Sequence, residues 1–256
     1  MTDIRIASDG AELAATVASP TRAAPRQPGV IFLHGFPSGP ADGSVVGRDL
    51  PQLADRVAVE MGWTALSFSF RGCGESTGQF SLEGWANDVA AAVTWMTASG
   101  DVHNVWVAGF GTGGALGLCA AARNEAVAGV AALGAPADFA DWAGHPKRLL
   151  EHARSAGVIT GTDYPPSIDR WARQLRELRA EACAGGLGDR PLLLVHGSED
   201  DLVPLLDARA SADAHGSADH RIIAGAGHDL RHDPRSIAVL LGWLDRHETA
   251  ALGQPA

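Results

Sequence analysis

Continuously apolar stretches alternate along this chain with segments whose apolar positions recur every three or four residues. The first kind is typical of strands buried on both faces of a parallel sheet, and it occurs at residues 30–33, 105–108, 127–133 and 192–195. The second kind is typical of amphipathic helices, and it occurs at residues 50–61, 82–96 and 237–244. The alternation predicts an α/β fold with a mainly parallel, eight-stranded sheet and helices on both faces.

The first residues of the chain depart from this alternation. Strand-like runs at residues 4–7 and 13–18 flank Asp9 and Gly10, and an Asp-Gly pair between two such runs is a strong signal for a β-hairpin. Residues 20–28 are rich in Pro, Ala and Arg, which predicts a loop.

The alternation also stops between residues 136 and 188. Amphipathic helices are predicted at residues 149–154 and 171–183. We interpret residues 1–256 as a single domain in which residues 136–188 form an inserted small helical lid over the strand ends. A crossover that connects two strands without any further role is the alternative.

The composition narrows the class of protein. The 256 residues are 46% hydrophobic, 20% charged and carry a formal net charge of −10. This charge argues against nucleic acid and anionic membrane as partners, and no apolar run approaches the roughly 20 residues of a membrane helix. The first residues lack the apolar core of a signal peptide. We therefore expect a cytoplasmic protein that binds a small molecule, needs no cofactor and is either a monomer or a homo-oligomer.

The three cysteines, Cys73, Cys119 and Cys183, are widely spaced and odd in number. This arrangement predicts neither a disulfide framework nor a zinc knuckle. Cys119 falls on the apolar face of a predicted helix, so we expect it to be reduced and to serve as a small core residue.

One stretch carries most of the functional argument. The apolar residues 105–110 lead into a glycine cluster, and a helix of small residues follows at 115–122. A strand, a sharp turn and a helix are the context of the G-x-S-x-G nucleophile elbow. Gly109 and Gly113 match the small flanking positions of that motif, but the nucleophile position is Gly111. Glycine has no side chain that could attack a substrate. A dinucleotide-binding loop is a poorer interpretation, because no acidic residue ends the next strand.

Taken in order and spacing, four signals resemble the α/β-hydrolase superfamily over nearly the full length of the chain. They are the His34-Gly35-Phe36 loop, the glycine elbow, the block His196-Gly197-x-x-Asp200-x-x-Val203-Pro204 and the late pair Gly227-His228. The loop Arg71-Gly72-x-Gly74-x-Ser76 and the position of the insertion look like the branch of esterases and serine aminopeptidases.

The resemblance implies a role for each of these positions. His228 would be the general base, and Asp200 would fix its tautomer and stabilise the imidazolium. The backbone N–H groups of Phe36 and Thr112 would form an oxyanion hole. Asp201 and Asp138 compete with Asp200 for the role of the acid, and Asp200 is favoured by its spacing to Val203-Pro204.

Further residues are candidates for the ligand pocket. Trp142, Tyr164 and Trp171 in the predicted lid would line it or would merely pack the lid onto the body. His34 would shape its loop and border the ligand. His228 and His232 are four residues apart and could hold a metal on a helix, but the intervening Asp229-Leu230-Arg231 lacks the glutamate of a metalloprotease, so no metal site is predicted.

Gly111 has three possible explanations. The protein is a hydrolase-fold enzyme in which the His228–Asp200 dyad activates water or a substrate proton, or it is a ligand-binding or scaffold protein on this fold. In the third explanation a natural serine was replaced by glycine, which the codon at position 111 of the natural gene would reveal. Thr112, Ser38 and Cys73 are weaker candidates for a substitute nucleophile.

Overall fold

A computed structural model of the chain describes residues 1–21 and 27–252. Within them, eight strands form one sheet in the order β1-β2-β4-β3-β5-β6-β7-β8. The strands β1 and β2 pair antiparallel, as do β2 and β4, and all other neighbours are parallel. The strand bounds are Thr2–Ser8, Ala11–Ala18, Gln27–Leu33, Thr64–Phe68, Val102–Phe110, Val127–Leu133, Leu192–Gly197 and Asp219–Ile223.

The antiparallel start is the predicted hairpin. The turn between β1 and β2 has positive φ angles at Asp9 (42°) and Gly10 (77°). Two successive residues with positive φ match the twist of a tight hairpin. The loop predicted at residues 20–28 is shorter than expected, because β3 already begins at Gln27. Residues 22–26 of that prediction lie outside the described part of the chain.

Helices cover both faces of the sheet. On one face lie α1 (Leu50–Met61) and α9 (Pro234–Leu252), and on the other lie α2 (Leu82–Ala98), α3 (Thr112–Arg123) and α8 (Leu205–His215). Each face has its own apolar core. The central strands β3 and β4 are buried throughout, and in β3 this includes the continuously apolar residues 30–33.

Local signals set the end of α1 and the start of α2. In α1, Leu50, Ala54, Val57 and Ala58 are buried, and the helix stops at Gly62, whose φ is 74°. In α2, the Ser81 side chain accepts a hydrogen bond from the Gly84 amide at 3.0 Å, which satisfies one of the free N–H groups of the first turn.

The segment between β6 and β7 holds four helices: α4 (Ala140–Gly144), α5 (Pro146–Ser155), α6 (Ile168–Glu177) and α7 (Ala180–Gly185). The prediction of one helix over residues 171–183 is wrong. The backbone is extended at Leu178 and Arg179, although the apolar spacing runs on without a break. The Glu181 amide instead donates to Ala137 O at 3.0 Å, so a tertiary contact redirects the chain.

The insertion, residues 136–188, is fastened to the body at several points. The Gly43 amide donates to Ala156 O and the Phe80 amide to Val158 O, both at 2.9 Å. The Gln79 side chain accepts from the amide of Thr160 at 2.7 Å. Its role as a lid stays a prediction.

The expectation that Cys119 is reduced is wrong. Cys119 on α3 and Cys183 on α7 form a disulfide, with their Cα atoms 4.9 Å apart. The two residues are 64 positions apart, so only the packing of α7 against α3 brings them together. Cys73 is free and buried. Among the described residues, no helix is long and apolar enough to cross a membrane.

Candidate active site

The turn between β5 and α3 has the backbone of a sharp elbow. Gly111 has φ 52° and ψ −125°, a conformation that residues with a Cβ atom rarely adopt. Its amide donates to Leu133 O at 2.8 Å, and its carbonyl oxygen accepts from the Gly114 amide at 3.0 Å. A Cβ on Gly113 would overlap the carbonyl oxygen of His34. The glycine cluster therefore permits both the turn and the close approach of the neighbouring loop.

A histidine and a carboxylate form a hydrogen-bonded pair beside this turn. Nδ1 of His228, in the loop after β8, lies 2.9 Å from Oδ2 of Asp200, in the loop after β7. The Asp200 side chain has no exposed surface, while His228 keeps 30% of its own. The amides of Leu202 and Val203 donate to Oδ1 of Asp200 at 3.0 and 2.9 Å. The carboxylate is thus held from both sides.

The two competing acids do not reach His228. Asp201 is exposed, and Oδ1 of Asp138 accepts from the Ala140 amide at 2.8 Å, at the start of α4. Asp200 is therefore the hydrogen-bond partner of His228.

The pair faces the elbow. A Cβ built on Gly111 would lie 3.4 Å from Nε2 of His228, which is ordinary van der Waals contact. The carboxylate oxygen can only accept a hydrogen bond, so Nδ1 of His228 carries the hydrogen. In the neutral ring Nε2 then presents a lone pair. The imidazole nitrogen that can accept a proton therefore points to the place where a side chain of residue 111 would begin.

Two backbone segments with candidate oxyanion donors border the same place. Thr112 is the first residue of α3, so its N–H has no acceptor within the helix. Phe36 lies in the loop after β3, and Cα of the preceding Gly35 is 3.6 Å from the Cβ position of Gly111. The structure therefore brings together Gly111, Asp200, His228 and the segments that contain Phe36 and Thr112.

His34 shapes its loop from a fully buried position. Its Nδ1–H donates to Gly35 O at 2.7 Å, and its Nε2 accepts from the Phe70 amide at 3.1 Å. Burial lowers the pKa of His34 to about 4, so the ring is neutral at pH 7. The prediction that His34 borders the ligand is wrong, because the ring has no exposed surface.

The three predicted aromatic residues of the insertion differ in position. Trp142 is half-buried, and its ring centroid lies 5.1 Å from that of Phe36. Trp171 is 3% exposed and its indole N–H donates to Phe80 O at 3.2 Å, so it packs the insertion onto the body. Tyr164 is half-buried at the edge of the same core. Of these three residues in the described part of the chain, Trp142 is the one whose ring contacts Phe36 in the loop beside the elbow.

Sequence patterns missed His152. From α5, its Nε2–H donates to Pro37 O at 2.9 Å, and its ring lies 5.6 Å from that of Phe36. It ties the insertion to the loop that carries the Phe36 amide. No sequence motif predicts this role, because His152 is one of several polar residues on an amphipathic helix.

The remaining candidates lie outside this arrangement. Burial raises the pKa of the Cys73 thiol, which disfavours the nucleophilic thiolate. Ser38 is exposed, with its hydroxyl 3.5 Å from Asp42. His232 lies between Asp229 and Asp49 at 2.6 and 3.2 Å. Within the described residues, no group of three or more His, Cys, Asp or Glu side chains is arranged to hold a metal ion.

Comparisons with known proteins agree on the architecture. Est1E from Butyrivibrio proteoclasticus aligns with a TM-score of 0.74 at 18% identity, over 99% of this chain and 100% of that one. The α/β hydrolase GrgF from Penicillium sp. sh18 aligns with a TM-score of 0.73 at 22% identity, over 96% and 98% of the two chains. Proline iminopeptidase from Mycobacterium smegmatis reaches 0.67 at 20% identity, over 98% and 100%. At these identities the likeness concerns the fold.

A relative with higher identity has no assigned activity. The uncharacterized protein Rv2307c of Mycobacterium tuberculosis is 30% identical over 208 residues, which are 76% of this chain. The match spans 63% of the length of that relative.

A family model also matches the sequence itself. The model describes the alpha/beta hydrolase fold and matches residues 28–156, just over half of the chain. These residues contain the loop after β3, the elbow and the first helices of the insertion. The chain belongs to the alpha/beta hydrolase fold family.

Proposed function

We propose that this protein binds a small, largely apolar carbonyl compound, such as an ester or amide, at the elbow. We further propose that its acyl-enzyme hydrolysis is impaired, because residue 111 offers no nucleophile. One observation carries the proposal. The Cβ position of Gly111 lies 3.4 Å from Nε2 of His228, so a hydroxymethyl group there would place its oxygen within hydrogen-bond reach of the base.

Each neighbouring group then has a defined task. His228 would accept at Nε2 the proton of an attacking hydroxyl or water and would later give it to the leaving group, while Asp200 keeps the hydrogen on Nδ1 and stabilises the imidazolium. The amides of Phe36 and Thr112 donate to the carbonyl oxygen as negative charge develops on it. None of these groups depends on a side chain at residue 111.

The serine hydrolase subtilisin indicates how large the impairment should be. In subtilisin, removal of the serine lowers kcat about 2 × 10⁶-fold, and about 10³–10⁴-fold acceleration over water remains from the oxyanion hole and binding. We therefore expect weak residual hydrolysis by this protein.

A second candidate function uses the pair without a serine. The 2.9 Å bond between His228 and Asp200 favours activation of a water molecule bound next to Gly111. His228 would take one proton from that water, and the resulting hydroxide would attack the carbonyl carbon. The tetrahedral intermediate would then expel the leaving group, which takes the proton back from His228.

Ligand binding without turnover is the remaining candidate, and the position of Trp142 supports it. Its half-buried indole against Phe36 would report a ligand beside the elbow. Quenching of tryptophan fluorescence by an ester, with no product formed, would favour this candidate over water activation.

The deciding experiment is Gly111→Ser, assayed on short p-nitrophenyl esters beside the parent protein. We expect at least about a 10³-fold gain in kcat/KM, since the serine restores covalent catalysis. Gly111→Ala is the matched control, because it introduces the same Cβ and the same backbone strain without a hydroxyl.

Two results would contradict the proposal. A folded Gly111→Ser protein with no gain over Gly111→Ala would show that residue 111 is not the nucleophile position. Strong esterase activity of the parent that Thr112→Val abolishes would assign the nucleophile to the next residue.

A further inference from the structure

A second imidazole lies behind the carboxylate of Asp200. His196 is the next-to-last residue of β7 and has no exposed surface. Its Nε2 lies 2.9 Å from Val203 O and 3.3 Å from Oδ2 of Asp200. The residue therefore contacts both the acid and the loop that presents the acid.

The surroundings of this ring decide its tautomer. A backbone carbonyl and a carboxylate can only accept hydrogen bonds, so Nε2 of His196 must carry the hydrogen. Nδ1 is buried and has no hydrogen-bond partner among the described residues. An N–H left there without an acceptor would cost more than an unused lone pair. In the neutral ring the single hydrogen therefore lies on Nε2.

The hydrogen bonds of Asp200 explain what His196 contributes. Oδ1 accepts the two amides of Leu202 and Val203. Oδ2 faces Nδ1 of His228 at 2.9 Å and Nε2 of His196 at 3.3 Å. Oδ2 thus accepts the N–H of His228 and lies in electrostatic contact with the Nε2–H of His196, which donates its hydrogen bond to Val203 O. A rotation of the carboxylate that weakened the bond to His228 would also break the contact with His196.

We propose that His196 is a positioning residue that holds Oδ2 of Asp200 in line with Nδ1 of His228 and so keeps His228 in the Nδ1–H tautomer. The proposal deepens the proposed function, since it concerns the same base. It is tested without turnover, because the tautomer of His228 is itself measurable.

Other titratable groups lie near His196. His220 on β8 approaches from the neighbouring strand, and Arg209 and Asp213 on α8 face His220 in turn. Burial, followed by the influence of His196 and Arg209, lowers the pKa of His220. We choose pH 8 for the tautomer measurement, because the lowered pKa keeps His220 neutral there.

The experiment is ¹⁵N-edited NMR of the histidine side chains of the whole chain at pH 8. In the parent, we expect the Nε2–H tautomer for His196 and the Nδ1–H tautomer for His228. In His196→Leu, we expect the Nδ1–H signature of His228 to fall by at least half, because Asp200 is released. His196→Gln keeps an N–H at a similar reach and should restore most of the signature.

A matched control removes an imidazole elsewhere. His215 donates from Nε2 to Arg190 O at 3.0 Å, so His215→Leu removes a comparable hydrogen bond outside the site. It should leave the signature of His228 unchanged. In the Gly111→Ser background, His196→Leu should lower kcat about tenfold and change KM less than about twofold.

The outcomes separate the two proposals. An Nδ1–H tautomer at His196 in the parent, or an unchanged His228 signature in His196→Leu, would overturn the positioning role. If His196→Leu fails to fold, the parent tautomer and His196→Gln decide the question. If Gly111→Ser gains no activity, the proposed function fails while the NMR result still tests His196.

Discussion

The two sides of the candidate site are held by different means. On the elbow side, Gly111 is fixed through its backbone, and α3 is joined to α7 by the disulfide of Cys119. On the acid–base side, hydrogen bonds alone position Asp200 and His228. The acid–base side has its side chains in place, whereas residue 111 has none. The difference shows that the hydrogen-bonded pair of His228 and Asp200 is held beside the elbow although residue 111 has no side chain.

The largest expected effect tests the acid–base side. In the Gly111→Ser background, His228→Ala should lower the hydrolysis of p-nitrophenyl esters by at least about 10³-fold, because the serine loses its base. The measurement is kcat/KM at pH 8. His232→Ala is the control, since His232 pairs with Asp229 and Asp49 instead, and it should change the rate less than about twofold. If His228→Ala kept the activity, His228 would not be the general base.

The next effect tests the elbow side. Cys183→Ser opens a disulfide between residues 64 positions apart, and in the chain-entropy model this lowers the free energy of unfolding by about 2–4 kcal/mol. Denaturant titration measures the loss. A reducing agent should produce the same loss in the parent and none in the variant.

The same substitution also tests whether the disulfide affects catalysis. The elbow turn is also held by the bond from the Gly111 amide to Leu133 O. In the Gly111→Ser background, Cys183→Ser should therefore change kcat less than about threefold. Equal stability of Cys183→Ser and the parent would contradict the disulfide.

The last effect concerns the loop after β3, which borders the elbow. His34 has a pKa of about 4 in the folded protein, below the roughly 6.5 of an unfolded chain. The unfolded state therefore binds the proton first as the pH falls, and stability is lost between about pH 6.5 and pH 4. The stability lost over this interval is about 3 kcal/mol.

His34→Gln tests this contribution, because glutamine does not titrate and can still accept from the Phe70 amide. The measured quantity is the difference between the free energies of unfolding of parent and variant from pH 7 to pH 4. We expect the difference to shrink as the pH falls. A constant difference would assign the acid sensitivity to other groups.

The sequence alone predicted the elements whose signals are local. The helix at residues 50–61 and the strand at residues 127–133 have the predicted bounds, because apolar spacing and a terminal glycine act within a few residues. The helix predicted at residues 171–183 failed for the opposite reason. Its break at Leu178 follows from contacts with Ala137 and Cys119, which are distant in the sequence.

The residues of the candidate site also divide into those that local signals predict and those that depend on packing. Motif spacing was sufficient to choose Asp200 as the partner of His228, because both belong to loops at the same edge of a parallel sheet. The buried state of His34 and the contact of His152 with Pro37 depend on how the loops pack. Spacing along the chain carries no information about that packing.

The central claim is that residue 111 occupies the nucleophile position of an otherwise assembled site. Its most direct test is treatment of the parent and Gly111→Ser with a fluorophosphonate, followed by intact-mass measurement and peptide mapping. We expect no adduct on the parent and a single adduct at residue 111 of the variant. An adduct on Thr112 or Ser38 of the parent, or a folded variant that stays unlabelled, would contradict it.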